Sequence, residues 1–365
     1  MKNWQPDGSR ASCVRHYGNM RQLCGVKRYF FADGRAGGTE AVDVNTGGGL
    51  RFTVLPGRGM DISELNYRGI PVAYLTKAGV GSSQLYDPAG DGWLKNFFAG
   101  MLTTCGLSNA GPACKGDLGI LRDVPLGLHG GISNTPADNV CTQEKWIGDE
   151  YKLTVSGRME EGRLHGEHLE LRRTIETGLG EKSLRITDEF TNTGETDQML
   201  MFFYHINIGH PLLGPGARFC APVLSVRAET PHAKAGLAEY TRCDAPRPGY
   251  LEQQFFLELG ADAEGGTLCA LINDELELAV YLKYNIRELP CLAEWKVLRD
   301  AEYVLAFEPG NCHAVGREEQ IRRGRQENLM PMQTRYAHYE IGIADGPEEI
   351  AGLEAKIEMR RESHG

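Results

Sequence analysis

The chain reads as a succession of short apolar or alternating stretches separated by turn signals. Residues 50–56 (LRFTVLP), 151–159 (YKLTVSGRM), 169–177 (LELRRTIET), 183–194 (SLRITDEFTNTG), 199–208 (MLMFFYHINI), 276–284 (LELAVYLKY) and 303–310 (YVLAFEPG) are each of strand length. Most are rich in β-branched or aromatic residues and bounded by Gly, Asn, Asp or Pro, which predicts strands. Between Leu184 and Phe190 apolar residues alternate with charged ones, as in a strand with one buried face. Helical signals are few. Residues 92–102 (GWLKNFFAGML) are long enough for a short helix. Residues 347–359 (PEEIAGLEAKIEM) carry Asp345 and Pro347 as start signals, acidic residues in the first turn, and Ile350, Leu353 and Ile357 on one face. Strands and helices do not alternate, so a doubly wound α/β fold is not expected. The glycine-rich residues 34–49 read as loops rather than a domain boundary. The pattern predicts an all-β sandwich in one domain over residues 1–365, the first 50 being its less regular part.

Composition narrows the function classes. The 365 residues carry a formal net charge of −10. That balance disfavours a general nucleic-acid or anionic-membrane binder, which needs a basic face. No run reaches the roughly 18 apolar residues of a membrane helix. The start, MKNWQPDGSR, has no apolar core of a secretory leader. The ten cysteines stand singly with no C-x-x-C pair, which reads as reduced thiols in a cytoplasmic protein.

Three residues far apart in sequence suit proton transfer at a sugar ring. His205 ends the apolar run 199–204, Glu308 directly follows the apolar run 303–307, and His129 precedes two glycines in LHGGISN. Opening a cyclic sugar needs a base at the anomeric hydroxyl and an acid at the ring oxygen, and a carboxylate with an imidazole is a usual pair for that work. The bland alternatives stay open at this level. A strand-end histidine is commonly a satisfied core residue, and a carboxylate leaving an apolar strand is often half of a structural ion pair. Arg58, between Gly57 and Gly59, suits a bidentate partner such as Glu308 or a substrate oxygen, and equally a local pair with Asp61. Thr104, Cys105 and Asn109 are small polar groups among glycines. Asn134 suits a sugar hydroxyl or a turn, and Trp295 suits a sugar face or the core. Gly47-Gly48-Gly49 opens no dinucleotide motif, and His165 and His168 would face opposite ways on a strand. The run Arg322-Arg323-Gly324-Arg325 reads as a solvated charge run.

At these positions the chain resembles the aldose 1-epimerase (galactose mutarotase) superfamily, in a sparsely characterised branch. The resemblance is carried by Leu128-His129-Gly130, by the turn Thr191-Asn192-Thr193-Gly194 leading to His205, and by Glu308 on its apolar strand. LPGRGMDIS, GMLTTCGL, LHGGISN, YHINIGHPLL and FEPGN occur in order, so the likeness runs from about Phe52 to the C-terminus. It implies a large antiparallel β-supersandwich and a cofactor-independent isomerase, with no metal, acting on a free aldose or a simple derivative. Glu308 would be the base and His205 the acid. His129, Arg58, Asp61, Asn134, Asn109 and Trp295 would bind the substrate. The partner implied is a small-molecule sugar, with no nucleic acid and no membrane, and a homodimer left open. Two departures stand out. Ile206-Asn207-Ile208-Gly209 replaces the usual P-Y-F-N-L-like run after the second histidine, with His210 as a competing histidine. The usual arginine of an N-R-I-like motif is absent, and Arg58 is the residue that could replace it. A sugar-binding protein without turnover, and an epimerase of a phosphorylated or otherwise modified sugar, are the alternative functions. The phosphorylated case needs a basic cluster, for which Arg122 near His129 is the one arginine at hand.

Overall fold

The computed structural model describes residues 8–362; the expectation about a secretory leader falls in part on residues 1–7, which lie outside the described residues. Two large antiparallel sheets face each other. One has eight strands, from Arg218–Cys220 through Gly266–Asn273, Leu278–Asn285, Thr334–Asp345, Ser183–Asn192, His168–Gly178 and Glu150–Gly162 to Asp138–Ile147. The other runs from Val223–Ala228 through Gln253–Leu259, Cys291–Arg299, Glu302–Gly310 and Gln198–Ile208 to Glu327–Leu329, with Thr103–Leu107 also paired to Gln198–Ile208. A five-stranded sheet spans Gly25–Phe30 to Ile70–Pro71. The strand Glu40–Asn45 falls within residues 34–49, read in the sequence as loops; its Ala41, Val42 and Val44 are buried.

The burial pattern explains why the strands look as they do in sequence. Ser183–Asn192 buries every second residue, so Leu184, Ile186 and Phe190 enter the core while charged neighbours stay nearer solvent. Gln198–Ile208 is buried along its whole length, hence its unbroken apolar run. Its even-numbered residues Phe202, Tyr204 and Ile206 join the core between the sheets, whereas Met199, Met201 and Phe203 join a separate cluster with Trp93 and Cys312. His205 shares the Phe203 side.

The C-terminal helix runs Pro347–Glu362 and buries Ile350, Leu353 and Ile357 against Leu268, Ala270 and Ile272 of the eight-stranded sheet. Each such side chain contributes about 1.5–3 kcal/mol when fully buried. The helix expected over residues 92–102 is a 3₁₀ turn over Gly92–Asn96 only. Ala99 and Gly100 have positive φ, and Gly100 N–H donates to Tyr74 O while Leu102 exchanges bonds with Ile62, so the chain leaves the helix to pair. Among the described residues no helix is long and apolar enough to cross a membrane.

Candidate active site

Antiparallel pairing brings His205 and Glu308 together. Phe203 pairs with Gly310 and Ile206 with Phe307, a register that sets His205 opposite Glu308 on two adjacent strands. His205 Nε2 lies 3.2 Å from Glu308 Oε1, and both side chains are buried. Gln254, on Gln253–Leu259, donates from Nε2 to Glu308 Oε2 at 2.7 Å. The strand Glu302–Gly310 needs glycine at its end, because a Cβ on Gly310 would collide with Phe202 O of the His205 strand. His205 Nδ1 is buried and has no hydrogen-bond partner among the described residues.

Aromatic rings enclose the pair. Phe97 lies 5.2 Å and Trp295 5.1 Å from the His205 ring, centroid to centroid. Trp93 stacks on Phe97 at 4.4 Å and lies 4.7 Å from His129, which in turn packs edge-on to Phe203 at 5.3 Å. His129 is therefore in the same aromatic cluster as His205. Gly111 N–H donates to His129 Nδ1 at 3.2 Å, so the neutral ring carries its proton on Nε2. His129 has positive φ, and a Cβ on the following Gly130 would collide with Gly106 O, which accounts for the H-G-G run. Phe97 and Trp295 also line a cleft of about 540 Å³ with Tyr74, Leu94, Asn207 and Leu251.

This apolar surround sets the protonation of the pair. Burial raises Glu308 from 4.5 to about 8; the Gln254 hydrogen bond opposes the rise, and the charge of Glu252 adds to it. Burial lowers His205 to about 4 and His129 to about 3, the latter also through His205. Glu308 and His205 thus hold one proton between them over the neutral range, and the two titrate as a unit.

Of the other sequence-predicted residues, Arg58, Asp61, Asn109 and Asn134 lie in the support around this cluster. Arg58 is buried and donates to three backbone carbonyls: Ser133 at 2.8 Å, Gly81 at 2.5 Å and Asn96 at 3.0 Å. Asp61 accepts from Thr104 N and Oγ1 and from Arg173, which also grips Asp188. Tyr204 donates to Asp188 at 2.6 Å, and Thr104 pairs with Tyr204, so this buried network fixes the strand that carries His205. Asn109 donates to Gly127 O and Pro112 O and accepts from Arg317 N; Asn134 accepts from Asn96. Trp295 donates to Glu252. Cys105 is buried within the field of Glu308. His210 is exposed beyond the strand's end, away from the pair. Arg122 is exposed and lies beside Asp117, on the two-stranded Cys114–Leu118 and Leu121–Leu126 hairpin. Gln254, Phe97 and Trp93 went unnoticed in the sequence. Only the cross-strand register, which sequence does not supply, singles out Gln254.

The fold defines the class, a galactose mutarotase-like β-sandwich. The chain is similar over 94% of its length, at 24% identity and a TM-score of 0.88, to 91% of a "putative aldose 1-epimerase" from Klebsiella pneumoniae. It is similar over 89% of its length, at 14% identity and a TM-score of 0.63, to 99% of a galactose mutarotase-like protein from Clostridium acetobutylicum. For galactose 1-epimerase from Lactobacillus acidophilus the values are 88%, 11%, 0.55 and 99%. Within that class the chain belongs to the family described as Domain of unknown function (DUF4432), whose model matches residues 36–343. No curated protein matches it.

Proposed function

We propose that the protein interconverts the anomers of an aldose or simple aldose derivative through Glu308 and His205. The observation that carries this reading is the 3.2 Å contact of a carboxyl and an imidazole, both buried under aromatic rings beside a cleft of sugar size. The names of the structural neighbours point the same way.

The chemistry starts from the tautomer with the shared proton on His205. Glu308 takes the proton of the anomeric hydroxyl, His205 gives its proton to the ring oxygen, and the C1–O5 bond breaks to leave the aldehyde. Rotation about C1–C2 and the reverse transfers close the other anomer. Ring opening moves one proton from His205 to Glu308 through the sugar, and burial favours that product tautomer. Glu308 Oε1, 3.2 Å from His205 Nε2, marks the direction from which that nitrogen would reach a ring oxygen. His129, neutral with its Nε2–H as donor, helps to polarise the ring oxygen, and Trp295 offers a stacking face. Arg58, Asp61, Asn109 and Asn134 act by holding loops and strands, through the bonds described above.

The test is exchange spectroscopy by NMR across a panel of aldoses. Exchange above the buffer rate for one sugar, reduced about 10²–10⁴-fold in Glu308→Gln and in His205→Asn, is the expected result. Binding without exchange for every sugar would replace the reading with that of a sugar-binding protein.

A further inference from the structure

The His205 ring has two nitrogens, and only one of them faces Glu308. Nε2 lies 3.2 Å from Glu308 Oε1. The proton shared by the pair sits either on Glu308, donated to Nε2, or on Nε2, donated to Glu308. In both forms the imidazole carries its other proton on Nδ1. Nδ1 is enclosed by protein, and a buried N–H without an acceptor is costly. The pair therefore needs an acceptor behind the ring, on the side away from Glu308.

Asn207 is placed to supply it. It lies two residues beyond His205 in the strand Gln198–Ile208, so both side chains leave the sheet on one face. Asn207 pairs with Ala306 and Ala306 with Trp295, which sets Asn207 in the row beside His205 and Glu308 and under the cleft. Its amide is fully buried and its direction is fixed. Nδ2 donates to Gly100 O at 3.0 Å and to His205 O at 2.8 Å. Gly100 presents that carbonyl from the positive-φ turn at Ala99 and Gly100, and Tyr74 N–H donates to Asn207 O at 3.1 Å, so the neighbouring segments clamp the residue. With both amide hydrogens engaged by carbonyls, Oδ1 is left as an acceptor. Oδ1 is buried and, like His205 Nδ1, has no partner among the described residues. A donor position and an acceptor, both enclosed, are thus left over on neighbouring residues of one strand face. The amide also favours protonation of the ring, against the larger effect of burial. Asn207 stands where the chain departs from the usual run after the second histidine.

We propose that Asn207 is a positioning residue for the proton transfer: its Oδ1 accepts Nδ1–H of His205 and keeps Nε2 as the working nitrogen. The inference rests on the anomer-exchange reading and adds a residue to its machinery. Ring opening takes the proton from Nε2 and leaves a neutral ring with Nδ1–H. Ring closure returns a proton to the lone pair on Nε2, which the opposite tautomer lacks. His129 is fixed in that opposite tautomer by Gly111 N–H, so the two histidines are set for different tasks. The titratable groups on the His205 side of the sheet are Glu308, His129 and Cys105, with Glu252, Lys77, Arg299 and Glu302 along the cleft. Among the described residues only Glu308 forms an ion pair with the ring.

The experiment reads the His205 ring nitrogens by NMR in the full-length protein at neutral pH, the signals being assigned by their loss in His205→Asn. A neutral ring protonated at Nδ1 is expected in the wild type, with a shift towards the Nε2–H form in Asn207→Leu. For an aldose that exchanges, Asn207→Leu should lower kcat about 10–100-fold with little change in KM. Asn207→Asp returns an acceptor, and its carboxylate favours the imidazolium, so the acid limb of its rate profile should move up from about 4. A purely structural role would slow both variants alike and leave the limb in place. That result, or a wild-type ring protonated at Nε2 alone, overturns the proposal. If Asn207→Leu does not fold, the wild-type tautomer and the Asn207→Asp profile decide. Should no aldose exchange at all, the anomer-exchange reading falls, and the tautomer alone decides the hydrogen bond. An Nδ1–H form lost in Asn207→Leu keeps it, and a tautomer unmoved by the variant removes it.

Discussion

Gln254 reaches across the intervening strand Cys291–Arg299 to hold one oxygen of Glu308 at 2.7 Å, which leaves the other oxygen facing His205. An amide N–H bonds best to an unprotonated oxygen, so Gln254 directs the shared proton to Oε1, on the His205 side. The same bond favours the carboxylate and keeps Glu308 from rising further than about 8. In Gln254→Leu the alkaline limb of the exchange rate is expected to move to higher pH, and Gln254→Asn to restore part of the original profile. A rate–pH curve for the three proteins decides it; an unmoved limb would show that Gln254 only packs.

The paired titration sets the pH range of activity. Below about 4 both groups are protonated, and above about 8 neither is, so the one-proton form peaks between. A bell-shaped kcat/KM with limbs near those values is expected.

Stability should carry the Glu308 signature even without a substrate. Its folded pKa lies above 4.5, so the folded state binds the extra proton between about 4.5 and about 8. The associated stability is fully present below that window and is lost as pH rises through about 8. The two depressed histidines act in the opposite sense, with stability present above their ordinary 6.5 and lost as pH falls towards 4. Thermal melts of the wild-type protein and Glu308→Gln between pH 6 and pH 9 should therefore diverge, the wild-type Tm falling more steeply. Parallel curves would contradict the raised pKa.

Arg58 is expected to matter for folding more than for chemistry. Its guanidinium satisfies three loop carbonyls and lies 5.0 Å over Phe98, with no ion partner at hydrogen-bond distance among the described residues. A hydrogen bond to a charged group contributes about 1.5–3 kcal/mol. Arg58→Met should cost about 3 kcal/mol or more in urea unfolding, by leaving buried carbonyls unpaired. A loss below about 1 kcal/mol would mean that the loops close without it.

Much of the strand framework was legible because alternation and unbroken apolar runs report burial directly, as at Leu184 to Phe190 and Met199 to Ile208. His205 and Glu308 stood out for the same reason, as polar groups ending apolar strands. What the sequence hides is pairing. Arg58 and Asp61 sit in one glycine-rich run, yet one binds loop carbonyls and the other binds Thr104 and Arg173. Residues 92–102 have helical composition, but their backbone bonds go to Tyr74 and Ile62. Gln254 gains its surroundings only through strand register.

Trp295 links the cleft to the chemistry, and its removal should separate two effects. One face of its surroundings is the cleft, and its ring stands 5.1 Å from His205 in an edge-on arrangement. Trp295→Ala takes away an aromatic contact worth about 0.5–1.5 kcal/mol, so KM for the sugar should rise up to about tenfold. It also admits water beside His205, whose depressed pKa comes chiefly from burial. The acid limb of the rate profile should then move from about 4 towards the ordinary imidazole value, whereas the alkaline limb of Glu308 stays in place. Trp295→Phe, which keeps an apolar ring, should retain the acid limb and part of the affinity. A higher KM with both limbs unmoved would confine Trp295 to binding, and an unchanged KM would place the sugar elsewhere on the His205 face.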